Sequence, residues 1–562
     1  MPCSFPLMRY RKRISAVFAV LLGSTSILLV GAAQKQSRIR FKPAPIPFRL
    51  ETDETPIRHS PATMGGGVAV FDYNRDGRPD IFFTNGANIE TLKKDDPKYK
   101  NRLFRNDGNG VFTDVTDKAG LAGTGYDIGV AVGDYDNDGY PDLFVAGLHR
   151  NTLYRNNGDG TFTDVTEKAG LNRPDPQYGP LWSVAAVWVD VNGDGLLDLF
   201  VVNYLQWSLS TDPLCSYHGI SDYCDVSFFK GLPDQLFLNQ GDGTFKDVSA
   251  EWGIRSHVGK GMGVAMADYD LDGKPDLFVT NDTYYNFLFH NMGNKFEEIG
   301  LQAGVALPDD GNFIGGMGGD FRDFDNDGYP DIVYAALANQ TFPVLQNRAG
   351  KEFIEITGPS GIRQESLLHS GYGVGIYDFD NDGWKDIFVT GGHVLALMTL
   401  GTNVNEPNFV FRNPGREGKW AMLTDEAGLN ALPPARHRGC AFGDFDGDGR
   451  IDIVVTAIGK DAEIWMNHSD PSGHWLDVAL EGTKSNRDGI GSRIKVVTKS
   501  GTQYNHMTTS VGYASSSDGP VHFGLGGDAR AQSVEIHWPS GIVQTFQDVA
   551  SDRVIVAKEP AH

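Results

Sequence analysis

Asp134-Tyr135-Asp136-Asn137-Asp138-Gly139-Tyr140-Pro141-Asp142, running on into Leu143-Phe144-Val145-Ala146, decides how the rest of this chain is read. Side-chain oxygens at positions 1, 3, 5 and 9 of such a loop can converge on one point, joined by the backbone carbonyl of position 7. Glycine at position 6 supplies the positive φ that a sharp reversal needs. Six to eight hard oxygen ligands are what calcium takes.

The same nine-residue pattern recurs seven times, its first aspartates 62, 56, 78, 55, 55 and 66 residues apart. The expected ligand sets are Asp72, Asn74, Asp76 and Asp80; Asp134, Asp136, Asp138 and Asp142; Asp190, Asn192, Asp194 and Asp198; Asp268, Asp270, Asp272 and Asp276; Asp323, Asp325, Asp327 and Asp331; Asp378, Asp380, Asp382 and Asp386; and Asp444, Asp446, Asp448 and Asp452. Up to seven calcium ions are therefore expected. An EF-hand needs a carboxylate at position 12 and flanking helices. Here position 12 is Phe83, Val145, Val201, Val279, Tyr334, Val389 or Val455, each inside an apolar run, so the loops join strands.

A small-residue strand precedes each loop, as in Gly129-Val130-Ala131-Val132-Gly133, and a bulky apolar one follows. A third strand such as Asn151-Thr152-Leu153-Tyr154-Arg155-Asn156 and a fourth such as Phe162-Thr163-Asp164-Val165-Thr166 complete each unit. Four strands in roughly 55–65 residues make a propeller blade. The expectation is an all-β chain with a seven-bladed β-propeller over residues 46–468, interrupted in blade 3 by an insertion at about 204–233. The last unit lacks a Phe-x-Asp-Val-Thr strand, and Phe48-Arg49-Leu50-Glu51-Thr52 near the start is expected to complete it, with a free N-terminal arm as the alternative.

This arrangement resembles the FG-GAP/VCBS repeats of integrin α chains. Asn486-Arg487-Asp488-Gly489-Ile490-Gly491-Ser492-Arg493, Gly512-Tyr513-Ala514-Ser515-Ser516, His522-Phe523-Gly524-Leu525-Gly526 and Trp538-Pro539-Ser540-Gly541 resemble the ASPIC/UnbV domain of the cartilage acidic protein family. The resemblance implies an extracellular calcium-binding protein and brings no defined reaction. Read on its own residues, the stretch 474–558 is a run of short strands expected to form a small β-sandwich beside the ring.

The chain opens with Arg9, Arg11, Lys12 and Arg13, an apolar run from Ile14 to Val30, and Gly31-Ala32-Ala33. This reads as an export signal over residues 1–33, with an uncleaved anchor as the alternative. Its removal takes the formal charge from −23 to −27, and seven calcium ions would return it to −13. Such acidity argues against nucleic acid as a partner. Outside the cytoplasm Cys215 and Cys224 are expected to form a disulfide, with a metal site completed by His218 as the alternative. The mature chain is expected in the extracellular space or the cell envelope, with no membrane span.

Strand order places His59, His149, Asn203, Tyr204, His257, Asn281, Asp282, His369, His393, His437 and Arg438 on the face opposite the loops. Three readings stay open there: a solvated rim with hydrogen-bonded histidines, a ligand-binding face, and a transition-metal or catalytic centre. The leading expectation for function is a non-enzymatic binding or adhesion module for an extracellular protein or glycan, with structural calcium. The alternative is an enzyme on the histidine-bearing face, either a polysaccharide lyase or a metal-dependent redox enzyme.

Overall fold

A computed structural model of the chain describes residues 39–217, 219–394, 404–416, 418–470 and 473–561. The expected export signal and His218 lie outside them. The fold is all-β. Among the described residues, six four-stranded antiparallel sheets and four antiparallel strands of a six-stranded sheet each follow the order inner, second, third, outer. Blade 2 runs Tyr126–Gly133, Asp142–Leu148, Thr152–Asn156 and Phe162–Asp164. The inner strands begin at Val68, Tyr126, Ser183, Gly261, Gly319, Gly371 and His437. Each packs against the next, and the last returns to the first, so the ring is a β-propeller.

The core lies between adjacent sheets. Ala69, Phe71, Phe82 and Leu103 of blade 1 are buried against Val130, Val132 and Leu143 of blade 2. Burying a side chain such as Phe82 contributes about 1.5–3 kcal/mol. Inner strands carry small residues because little room remains at the axis. A Cβ built on Gly67 would stand 2.5 Å from the carbonyls of both Ile128 and Ala514.

The N-terminal strand does supply the outer strand of the last sheet, but it is Phe41–Arg49 rather than residues 48–52. Phe41 pairs with Asn467 and Pro45 with Glu463. The ring therefore begins upstream of residue 46. Pro43, Pro45 and Pro47 hid this strand from a reading of residue types. On an outer edge a proline loses no ladder bond, because its missing N–H would face solvent.

The C-terminal stretch forms two sheets. One orders Val521–Gly526, His474–Glu481 and Arg553–Lys558; the other orders Thr502–His506, Arg493–Val497, Arg530–His537 and Val543–Ala550. Leu476, Val478, Phe523, Ile494, Val496 and Val534 are buried in one cluster, as in a sandwich. Sequence placed this unit beside the ring; in fact one hairpin leaves it and enters the axis. Ser515–Ser517 pairs in parallel with the inner strand of blade 1 (Val68–Phe71) and antiparallel with Ser510–Val511.

The hairpin touches blades all round the axis. The Ser515, Ser516 and Ser517 hydroxyls accept bonds from the N–H groups of Val68, Val132 and Phe442 at 3.3, 3.1 and 2.9 Å. The Val130 N–H donates to the Ala514 carbonyl, and the Tyr513 hydroxyl reaches the Met64 carbonyl at 2.7 Å. The axis of the ring is plugged by its own C-terminal domain.

Candidate functional site

Each acidic loop closes around its own carboxylates. The first aspartate accepts a bond from the position-6 glycine N–H in all seven copies, for example Asp134 from Gly139 at 2.6 Å and Asp378 from Gly383 at 2.7 Å. The ninth aspartate is buried: Asp80, Asp142, Asp198, Asp276 and Asp331 have 0% exposure. One of its oxygens accepts from the position-2 N–H, as Asp80 does from Tyr73 at 3.2 Å. The other accepts from the N–H of an asparagine that ends the third strand, as Asp80 does from Asn106 at 2.7 Å.

Those asparagines carry a role that sequence reading did not assign. Asn106, Asn156, Asn239, Asn291, Asn347, Asn413 and Asn467 each donate a side-chain N–H to the position-2 carbonyl of the preceding blade's loop, at 2.8–2.9 Å. Asn106 reaches back to Phe445 of the last blade, so this chain of clasps closes on itself. Every loop is thereby tied to its neighbour through its ninth aspartate. The recurrence of asparagine at the end of each third strand was the available signal.

Crowding and burial have an electrostatic cost. Burial first, then neighbouring carboxylates, pushes Asp80, Asp134 and Asp378 up to about 8. Burial likewise raises Asp268 and Asp323 to about 7, and holds Asp142, Asp198, Asp386 and Asp452 well above the usual carboxylate range. Part of the charge is met internally: Arg155 bonds Asp136 at 2.5 Å and Asp138 at 2.7 Å, and Arg412 bonds Asp380 at 3.1 Å. Arg78, Lys274 and Arg450 pair with the fifth aspartates Asp76, Asp272 and Asp448.

The all-oxygen donor set fits a hard divalent cation. Ligand oxygens lie within 4.8 Å of one another in Asp134, Asp136 and Asp142; in Asp268, Asp270 and Asp276; in Asp323, Asp325 and Asp331; and in Asp378, Asp380 and Asp386. A bound cation would hold these buried carboxylates ionised and remove their mutual repulsion.

The C-terminal domain rests on the loop face. The Asp134 N–H donates to Asp488 at 2.7 Å, Arg487 N–H to Asn137 at 2.8 Å, and Lys385 Nζ to the Tyr504 carbonyl at 2.8 Å. His522 bridges Asp477 at 2.7 Å and Asn381 at 2.8 Å; burial opposes its charge, but the Asp477, Asp378 and Asp444 carboxylates together raise its affinity for a proton.

On the opposite face the expected residues part company. His59 pairs with Asp212 at 2.6 Å, His149 with the Trp207 carbonyl at 2.9 Å, His369 with Glu406 at 2.7 Å, and His437 with Glu463 at 3.1 Å. His257 packs edge-on to Phe287 and Phe289. Asn203 and Asn281 bond backbone within their own blades, to the Pro233 and Tyr285 carbonyls. The histidines are thus held singly by different partners. Tyr204, Asp282 and His393 do meet, around a cavity of about 230 Å³ walled partly by the blade-3 insertion. Arg438 lies over the Tyr372 ring at 3.9 Å, one of the walls. The insertion is pinned by the Cys215–Cys224 disulfide, which sets aside the metal alternative for that pair. Cys440 is a buried thiol.

A ring of four-stranded sheets with an aspartate-rich loop between the first two strands of each defines a repeat propeller. The chain belongs to the FG-GAP-like repeat family, which matches residues 72–145, 134–201, 224–279, 268–334, 323–389 and 378–455. Residues 482–562 match the ASPIC and UnbV family. The chain is homologous to cartilage acidic protein 1: it is 27% identical to the Homo sapiens protein over 502 residues, covering 86% of this chain and 70% of that one. To the Mus musculus protein it is 27% identical over 515 residues, covering 88% and 73%. A solved structure of an Agrocybe aegerita lectin that recognises non-reducing terminal N-acetylglucosamine aligns with 71% of this chain and 87% of that one at a TM-score of 0.39 and 17% identity, too loosely to bear on function.

Proposed function

We propose that this chain is an extracellular, calcium-stabilised binding protein, in which calcium builds the scaffold and a partner engages the face opposite the loops. The observation that carries the reading is the ninth aspartate, buried in every copy and tied by an asparagine clasp to the preceding blade. A cation in one loop therefore stabilises a junction between two blades. The reading is also supported by the disulfide, which belongs to an oxidising compartment, and by the family match. No helix among the described residues is long and apolar enough to cross a membrane.

Extracellular modules bind calcium at about 10⁻⁴–10⁻³ M. At calcium tenfold above Kd each site adds about 1.4 kcal/mol. Several such sites equal the roughly 5–15 kcal/mol by which a domain is stable at all. Calorimetric melting with calcium and with chelator tests this. A fall in Tm on chelation is expected, reversed by calcium and not by magnesium, which demands octahedral geometry and dehydrates reluctantly. A melt indifferent to chelator would overturn the proposal.

A further inference from the structure

The cavity on the face opposite the loops contains an unspent hydrogen-bonding group. Tyr372 lines it and is 0% exposed, and its hydroxyl has no hydrogen-bond partner among the described residues. A buried hydroxyl left unpaired costs about 1–3 kcal/mol. The native fold tolerates such a cost where a ligand supplies the missing partner. The floor beneath is rigid, because the Tyr372 ring stands edge-on to Tyr513 of the axial hairpin at 5.2 Å.

The charges around the cavity select the ligand. Asp282 and the exposed Asp225 repel an anion. The Asp282 carboxylate already accepts from the Tyr204 hydroxyl at 2.7 Å and the Thr283 hydroxyl at 3.0 Å, and keeps further lone pairs for a donor. A cation is disfavoured by the Arg438 guanidinium stacked 3.9 Å from the Tyr372 ring. Burial, and then Arg438, lowers His393 to about 4, so its imidazole is neutral at physiological pH. Gln340, Ser60 and Thr283 add uncharged polar groups, while Tyr223, Phe229 and Met262 offer flat or soft apolar walls.

Neutral hydroxyls with one apolar ring face satisfy this set. The 230 Å³ volume is below the roughly 300 Å³ at which pockets begin to hold drug-sized ligands, which limits the occupant to one ring. One residue beyond Thr283, Tyr284 stacks on Phe313 at 6.1 Å, and both are exposed (38% and 46%). An exposed aromatic pair beside a polar cavity suits a second ring of the same chain of sugars.

We infer that this cavity is a saccharide site, taking the uncharged terminal unit of an extracellular glycan, with Tyr372 and Asp282 bonding its hydroxyls and Tyr284 and Phe313 supporting the unit behind it. The inference rests on the partner-binding half of the proposed function and is independent of calcium's role.

The test uses the full chain in calcium. It is titrated calorimetrically with glucose, galactose, mannose, fucose and N-acetylglucosamine, then with neutral oligosaccharides ending in whichever binds. Saturable binding of at least one neutral sugar is expected. Tyr372→Phe removes only the unpaired hydroxyl, so its Tm should equal or exceed that of the parent while affinity falls roughly three- to tenfold. Phe313→Ala should weaken the oligosaccharide more than the monosaccharide. The inference is overturned if no neutral sugar binds, if Tyr372→Phe binds as well as the parent, or if lysine, phosphate or a peptide binds there instead. Failure of the calcium reading would show separately, as a melt indifferent to chelator with sugar binding intact.

Discussion

The two faces of the ring are built on opposite plans. On one, seven loops repeat a hydrogen-bond scheme almost atom for atom: first aspartate to glycine N–H, ninth aspartate to two backbone N–H groups, asparagine to the preceding blade. On the other, the described rim histidines meet different kinds of partner. His149 meets a tryptophan carbonyl, His369 a glutamate, and blade 3 contributes a disulfide-pinned insertion. Repetition is what a closed ring demands of its joints, since one ill-fitting blade prevents closure. Divergence is what a surface needs if it is to recognise something asymmetric. The acidic loops and the cavity proposed as a partner site are therefore separated by the height of the sheets.

Several measurements would break or sharpen that contrast. Chelation should have the largest effect, because it acts on all the joints together while leaving the opposite face chemically untouched. Next comes the axis. Gly67→Ala drives a methyl against the Ile128 and Ala514 carbonyls and should cost about 1–3 kcal/mol, read as a lower denaturation midpoint. It should also loosen the axial hairpin, seen as faster hydrogen exchange at residues 510–517.

A single clasp should cost a similar or smaller amount. Asn291→Ala frees the buried Val191 carbonyl and unties blade 4 from blade 3, for about 1–3 kcal/mol in calcium. A substitution of the exposed Tyr284 should leave the melt unchanged.

Acidity gives a smaller effect whose sign is diagnostic. Asp80, Asp134 and Asp378 hold their protons more tightly folded than unfolded, with folded values near 8 against an ordinary 3.8. Their contribution to stability is complete below the unfolded value and is lost as pH rises through about 8. The chelated protein should therefore melt higher at pH 5.5 than at pH 8.5. Calcium competes with those protons, so the Tm gained on adding it should grow with pH over the same window. The disulfide should matter least to the ring. Cys215 and Cys224 are nine residues apart, so Cys224→Ser should cost about 2–3 kcal/mol at most and act on the insertion. The cavity wall should loosen while the calcium-dependent melt persists.

How much was readable in advance follows the same division. The loops were legible because a cation's demand for oxygens fixes residue type at positions 1, 3, 5 and 9, and because seven copies multiply a weak signal. The closing strand was misplaced because Pro43, Pro45 and Pro47 imitate a linker; only its pairing with Asp461–Asn467 reveals an edge strand. The rim histidines were placed by strand order, which gives a face but no convergence. Imidazoles on different blades meet or miss according to loop conformation, and spacing does not encode that. Asn106 and its six counterparts were visible as a pattern without a purpose, since their partners sit a whole blade away.

The sequence by itself determined the number of repeats, the strand order within the first six and the chemistry of the loops, all of which are local: they depend on residues within about 60 positions of one another. Tertiary structure alone decided that Ser510–Ser517 fills the axis, that Tyr372 keeps an unpaired hydroxyl beside Asp282, and that the clasp of Asn106 falls on Phe445. The first and last of those contacts join residues hundreds of positions apart. Their geometry is set by closing the ring, a condition on the whole chain that no single segment carries.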